Sequence, residues 1–142
     1  MAYFEWTSAI ELGHPEIDQQ HRQLLLLCEA VVEPLNNSAE HKRGTAQLQA
    51  LIEFAQEHFE FEEGLMYSAG YLKAGRHAND HTSLLTELRT YFYRVQRGTN
   101  TNPVGMISFL WNCLVLHIDS ADRELVAWLK SRDPDGRPPP VG

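Results

Sequence analysis

The chain has 142 residues, 43% of them apolar, with 12 basic against 19 acidic side chains and a formal net charge of −7. That length suits a single domain with a core of its own and no need for staples. The acidic balance argues against a nucleic-acid or anionic-membrane surface, no apolar run approaches the roughly 18 residues of a membrane helix, and the opening Met-Ala-Tyr-Phe-Glu-Trp lacks a signal-peptide pattern.

Residues 1 to 13 show no sustained period, but Tyr3, Phe4, Trp6, Ile10 and Leu12 are apolar enough to form an ordered arm across a bundle. A first helix is predicted from Pro15, whose fixed φ suits a first turn. Glu16 and Asp18 favour its positive end. Its inner stripe is His21, Leu24, Leu25, Cys28, Val31, Val32 and Leu35. Pro34 should bend or end this helix near Glu33. Asn36-Asn37-Ser38 reads as a turn with Ser38 as the cap of the next helix.

The second helix is predicted from about Ala39 to Tyr67, weakened a little by Gly44 and Gly64. Leu48, Leu51, Ala55, Phe59 and Leu65 recur along one side at helical spacing. Gly70 marks a turn. The third helix is predicted from about Leu72 to Arg97, with Gly98 beyond it. Its inner face is His77, His81, Leu84, Leu85, Leu88, Phe92 and Val95. Thr99 to Asn102 is a loop, and Asn102 before Pro103 is a strong helix start. The fourth helix runs to about Ser131, with Ile107, Leu110, Cys113, Leu114, His117, Leu125 and Trp128 inward. Residues 133–142, with four of the seven prolines, should form a mobile tail beyond a 1–132 bundle domain. The expected fold is all-α, an up-down-up-down antiparallel four-helix bundle. Cys28 and Cys113 read as reduced core thiols of a cytoplasmic protein.

The chemistry lies in the polar residues on the inner stripes. His21 is on the first helix, His58 and Glu62 on the second, His77 and His81 on the third, His117 and Asp122 on the fourth. Four-residue steps put His58 with Glu62, and His77 with His81, one turn apart on one face. A buried unpaired carboxylate is costly, so Glu62 needs a cation, a proton or several hydrogen bonds. Five imidazoles and two carboxylates exceed one ion, since a single catalytic zinc takes three protein ligands. They suit two ions bridged by the carboxylates. Mixed imidazole and oxygen coordination fits iron, and zinc, copper or nickel fit the same ligand types. Asp122 is the awkward member: five residues beyond His117, it is rotated about 140° on an ideal helix. A widened turn would bring it round; otherwise Asp119 or Glu124 competes for the role. Glu60 and Glu63 should be solvated, and His14 and His41 fall outside the stripes.

Gly13-His14-Pro15-Glu16-Ile17-Asp18-Gln19-Gln20-His21, His58-Phe59-x-x-Glu62-Glu63-x-x-Met66 with Gly70-Tyr71, His77-x-x-x-His81 and His117-Ile118-x-x-x-Asp122 together resemble the bacterial hemerythrin family, over roughly residues 6 to 130. The resemblance implies a non-haem diiron centre with a solvent-derived oxo or hydroxo bridge that binds O2 reversibly. It implies that His77, His81 and His117 hold one iron, that His21 and His58 hold the other beside an open position, and that Glu62 and Asp122 bridge. Leu24, Leu25, Cys113, Leu114 and Ile118 would wall the O2 pocket. The resemblance implies tryptophan where this chain has Cys113: either ligand access is easier and autoxidation faster, or Cys113 is a small hydrophobe with another ring filling the gap.

Storage, delivery or scavenging of O2 is therefore the leading expectation, with no enzymatic activity and an unidentified electron donor or recipient. A peroxide- or NO-reducing diiron enzyme is the runner-up, but no inward acid or base beyond the seven residues supports it. An O2 or redox sensor would need a partner. A metal-free bundle would leave the buried polar groups uncompensated.

Overall fold

The computed structural model describes residues 2–98 and 102–132. Four long helices carry the fold: α1 (Pro15–Leu35), α2 (His41–Ala69), α3 (Ala74–Gln96) and α4 (Pro103–Arg132). Short 3₁₀ turns stand at Ser8–Ile10 and Ser38–Glu40, and no strand occurs among the described residues. The expected tail, 133–142, and most of the loop from Thr99 lie outside the described residues.

The helix ends follow local chemistry. His14 caps α1, its Nδ1 accepting from the Ile17 amide at 3.2 Å, and Pro15 takes the first turn, where no N–H is needed. The helix outlasts Pro34 by one residue, and the Asn36 amide still donates to the Val32 carbonyl at 3.2 Å beyond it. The cap of the next turn is Asn37, not Ser38: its Oδ1 accepts from the Ala39 amide at 3.0 Å, and α2 proper starts at His41. Gly70, at φ +74°, closes α2 with the Tyr71 amide donating to the Met66 carbonyl at 2.9 Å. Asn102 caps α4, accepting from the Val104 amide at 2.9 Å, with Pro103 next.

The widened turn is present, and there are two. α4 is π-helical over Trp111–Val115 and again over Ile118–Asp122. Each inserts an extra residue into a turn, so a five-residue step lands where a four-residue step would. In the second, the Ser120 hydroxyl donates to the Leu116 carbonyl at 2.7 Å. An 18-residue window of α4 reaches a mean hydropathy of 1.4, which corrects the expectation that nothing in the chain is long and apolar enough to cross a bilayer. The helix directs His117 and Asp122 inward, and Met106, Leu110, Leu114 and Val115 pack against the other helices as core, while Val104 and Leu116 are exposed.

The N-terminal arm is tied down by side chains. Asp18, placed by charge alone at the helix start, is buried and accepts from the Leu12 and Gly13 amides at 2.8 and 2.9 Å. Glu29 accepts from the Tyr3 and Phe4 amides, and Trp111 donates to the Tyr3 carbonyl at 3.0 Å while stacking on Phe4.

The large apolar cluster gathers Leu24 and Cys28 of α1, Leu51 and Ala55 of α2, Leu88 of α3 and Leu110 and Leu114 of α4. Smaller clusters hold Ile17, Ile118 and Val126, and Met66, Ala74 and Leu125. On every helix the inward polar residues fall between the large cluster and a small one. Apolar layers on both sides hold the polar layer out of water.

Gly44 is needed where α2 meets the end of α1. A Cβ there would lie 2.4 Å from Leu35 Cδ2 and 3.0 Å from the Leu35 backbone nitrogen, whereas a Cβ on Gly64 meets nothing within 4 Å. Alanine relieves a helical glycine of about 1 kcal/mol, so Gly64→Ala should raise the melting temperature while Gly44→Ala lowers it. Paired thermal unfolding curves decide this; equal gains for both variants contradict the packing argument.

Candidate metal centre

All seven predicted polar residues are brought to one place. His21, Glu62 and Asp122 are fully buried, and His58, His77, His81 and His117 nearly so. Their ligand atoms form two groups: Glu62, His77, His81, His117 and Asp122 in one, and His21, His58, Glu62 and Asp122 in the other. The carboxylates belong to both, and each divides its oxygens between them. Glu62 Oε1 lies 3.5 and 3.1 Å from the Nε2 atoms of His77 and His81; its Oε2 lies 3.7 and 3.3 Å from those of His21 and His58. Asp122 Oδ1 lies 3.0 and 3.1 Å from His77 and His117; its Oδ2 lies 2.9 and 3.9 Å from His21 and His58.

The helices supply this geometry directly. The i, i+4 steps stack His58 on Glu62 and His77 on His81. The π-helical turn carries Asp122 to the face of His117. Asp119 and Glu124, the alternatives on spacing, point outward: Asp119 pairs with Arg123 and Glu124 with Lys73. Phe59 stacks on His81 with ring centres 4.0 Å apart and planes within 10° of parallel.

Charge balance shows what the arrangement lacks. Both Glu62 oxygens are buried without a hydrogen-bond partner, as is His21 Nδ1. Two pairs of Nε2 atoms face each other, His21 with His58 at 3.2 Å and His81 with His117 at 3.1 Å. Two neutral imidazoles cannot point lone pairs at one another without a proton or a cation between them. The donor set therefore fits cations seated among the Nε2 atoms and carboxylate oxygens.

In the metal-free chain, burial by itself disfavours charged imidazole. The Asp122 and Glu62 carboxylates, close beside these rings, favour the protonated form, overturn this and push His58 and His77 up to about 9 and raise His21 too. Burial also works to raise both carboxyl groups, and at Glu62 the charge of Asp122 adds to it. The surrounding imidazoles nevertheless hold both well below the usual carboxylate range. The imidazolium contribution to stability is full below the unfolded value of about 6.5 and fades as the pH climbs through about 9. The carboxylate contribution runs the other way and is lost as the pH falls. An arriving cation displaces the imidazole protons, so uptake is favoured as the pH rises.

Glu63, expected in solvent, is instead half-buried and accepts from His81 Nδ1 at 3.0 Å. Gln20 accepts from His58 Nδ1 at 2.6 Å. Both precede or follow a predicted ligand by one residue, which turns them about 100° around their helix and towards the neighbouring one. Glu60 is exposed and bonds Gln56. His41 stands at the start of α2, away from the cluster. A cleft of about 230 Å³ lined by Lys73, Arg76, His77, Asp80, Ser120 and Glu124 was not foreseen; it brings the surface to His77.

Of the expected pocket wall, Leu24, Leu25, Cys113 and Leu114 are buried in the large cluster and Ile118 in a small one. The Cys113 thiol turns towards α3 and donates to Glu87 at 3.3 Å; burial and the Glu87 charge push it up to about 12, so it is an inert thiol.

The chain belongs to the family described as the hemerythrin HHE cation binding domain, whose sequence model matches residues 12–129. A bacteriohemerythrin of Ralstonia nicotianae is 27% identical over 137 residues, covering 96% of each chain. One of Clostridium acetobutylicum is 26% identical over 127 residues, 87% of this chain and 98% of its own. One of Stenotrophomonas maltophilia is 28% identical over 139 residues, 92% and 84% of the respective chains.

A buried cluster held together by cations should be stabilised by them. A transition-metal ion at a hundred times its dissociation constant should add about 2.7 kcal/mol, or roughly 5–10 °C in melting temperature at this chain length, and a chelator should reverse the gain. A melting temperature indifferent to both contradicts the cation reading.

Proposed function

We propose that this chain binds O2 reversibly at a diiron centre, for oxygen storage, delivery or scavenging. The observation that carries the reading is the sharing of Glu62 and Asp122 between two imidazole groups, each carboxylate turning one oxygen to each side. His77, His81 and His117 would hold one iron and His21 and His58 the other, with Glu62 and Asp122 bridging. Membership of a cation-binding family and similarity to proteins named bacteriohemerythrin support it.

The fold assigned to this function is an up-down-up-down antiparallel bundle. Its support is the order of the clusters along the chain: small cluster, ligands, large cluster on α1 and α3, and the reverse on α2 and α4.

Iron would supply the electrons that a bound O2 withdraws. The protein's part is to hold, orient and exclude. The first group has three imidazoles of its own and the second has two, so the second is the less filled side and the natural place for a diatomic ligand. Leu24, Leu25, Leu114 and Ile118 keep bulk water from that side, and few protons reach the centre across an apolar wall. Among the described residues the other acids in and around the ligand layer are engaged elsewhere, Asp18 by the Leu12 and Gly13 amides and Glu63 by His81 Nδ1, which supports a binding protein over an enzyme.

Iron analysis and visible spectroscopy test this together. Two irons per chain and an absorption band that appears with O2 and disappears under vacuum are expected. Iron-replete protein with no oxygen-dependent band overturns the reading. The resemblance implies tryptophan at this position, and the smaller Cys113 should ease ligand access, so Cys113→Trp should slow autoxidation; an unchanged rate removes that role.

A further inference from the structure

We infer that Glu63 and Gln20 are positioning residues that make the two cation positions electronically unequal, Glu63 strengthening His81 as a donor and Gln20 leaving His58 a weaker one. The inference rests on the two-cation reading above and goes beyond it to two residues outside the ligand set.

The geometry repeats from helix to helix. Gln20, next to His21 on α1, reaches across to His58 on α2. Glu63, next to Glu62 on α2, reaches across to His81 on α3. In each case the residue beside one ligand braces a ligand on the following helix. Each acceptor takes the Nδ1–H, at 2.6 and 3.0 Å, which fixes the tautomer and leaves the Nε2 lone pair facing the centre.

The two acceptors differ in charge. A carboxylate on Nδ1–H draws the proton towards itself and makes Nε2 more basic; a neutral amide oxygen orients the ring with much less of that effect. His21, the other imidazole of the second group, has a buried Nδ1 with no partner at all. The position with three imidazoles thus also has the anionic brace, and the position with two has a neutral brace and an unbraced ring. Solvent reaches Glu63, whose side chain is 31% exposed, so its effect should sit at the low end of the range for such partners, about tenfold in metal affinity.

Stepwise anaerobic titration of the full chain with Co2+ against a chromophoric chelator tests this through the ratio of the two dissociation constants. Glu63→Gln keeps an acceptor and removes only the charge; it should weaken the tighter constant about tenfold and leave the other in place. Gln20→Glu should tighten the weaker constant, so both variants narrow the ratio, while Glu60→Gln leaves it where it was. Damage to the fold would move both constants together, which the ratio does not register. A ratio that stays put in Glu63→Gln, or widens in Gln20→Glu, overturns the inference alone. Wild-type protein binding fewer than two Co2+ overturns the two-cation reading and takes this inference down with it.

Discussion

Two carboxylates with no access to water set the terms for everything else in this molecule. Glu62 and Asp122 are fully buried, and Glu62 has no hydrogen-bond partner for either oxygen. Isolated anions in such a place cost many kcal/mol, far more than a domain of this size has to spare. Positive charge must therefore be brought to them, as protons on the imidazoles or as metal. The five histidines converge from all four helices on that requirement, and the apolar clusters on either side make it unavoidable by shutting out water.

Much of this was legible in the sequence because the relevant signals are periodic. The spacings of His58 with Glu62 and of His77 with His81, set in apolar stripes, place four ligand residues without any knowledge of tertiary contacts. Pro15 and the Asn102-Pro103 pair fixed two helix starts for steric reasons that need no partner. Asp122 was legible only by pairing an awkward five-residue step with a chemical need, and the π-helical turn at Ile118–Asp122 is the backbone's answer. The earlier widened turn at Trp111–Val115 left no comparable mark, since no imidazole or carboxylate lies within it.

What the sequence hides are contacts from one element to another. Its own helix turns Glu63 off the inner face, which reads as solvent; what captures it is His81 on a different helix. By sequence Asp18 is a charge at a helix end, yet its carboxylate holds the arm at Leu12 and Gly13. Gly44 looked like a weak spot in a helix and is a close approach to Leu35. Periodicity reports which side of a helix a residue is on, and is silent about what the neighbouring element offers there. The same limit explains why Gln20 stays silent, and Glu63 reads as solvated, within motifs legible for other residues.

The central claim is that two cations share Glu62 and Asp122. Anomalous diffraction from iron-loaded crystals reads it most directly. The account predicts two iron peaks roughly 3.5–4 Å apart, the usual spacing of paired metal sites, each beside one oxygen of Glu62 and one of Asp122. A single peak, or two peaks that do not have both carboxylates between them, would contradict it.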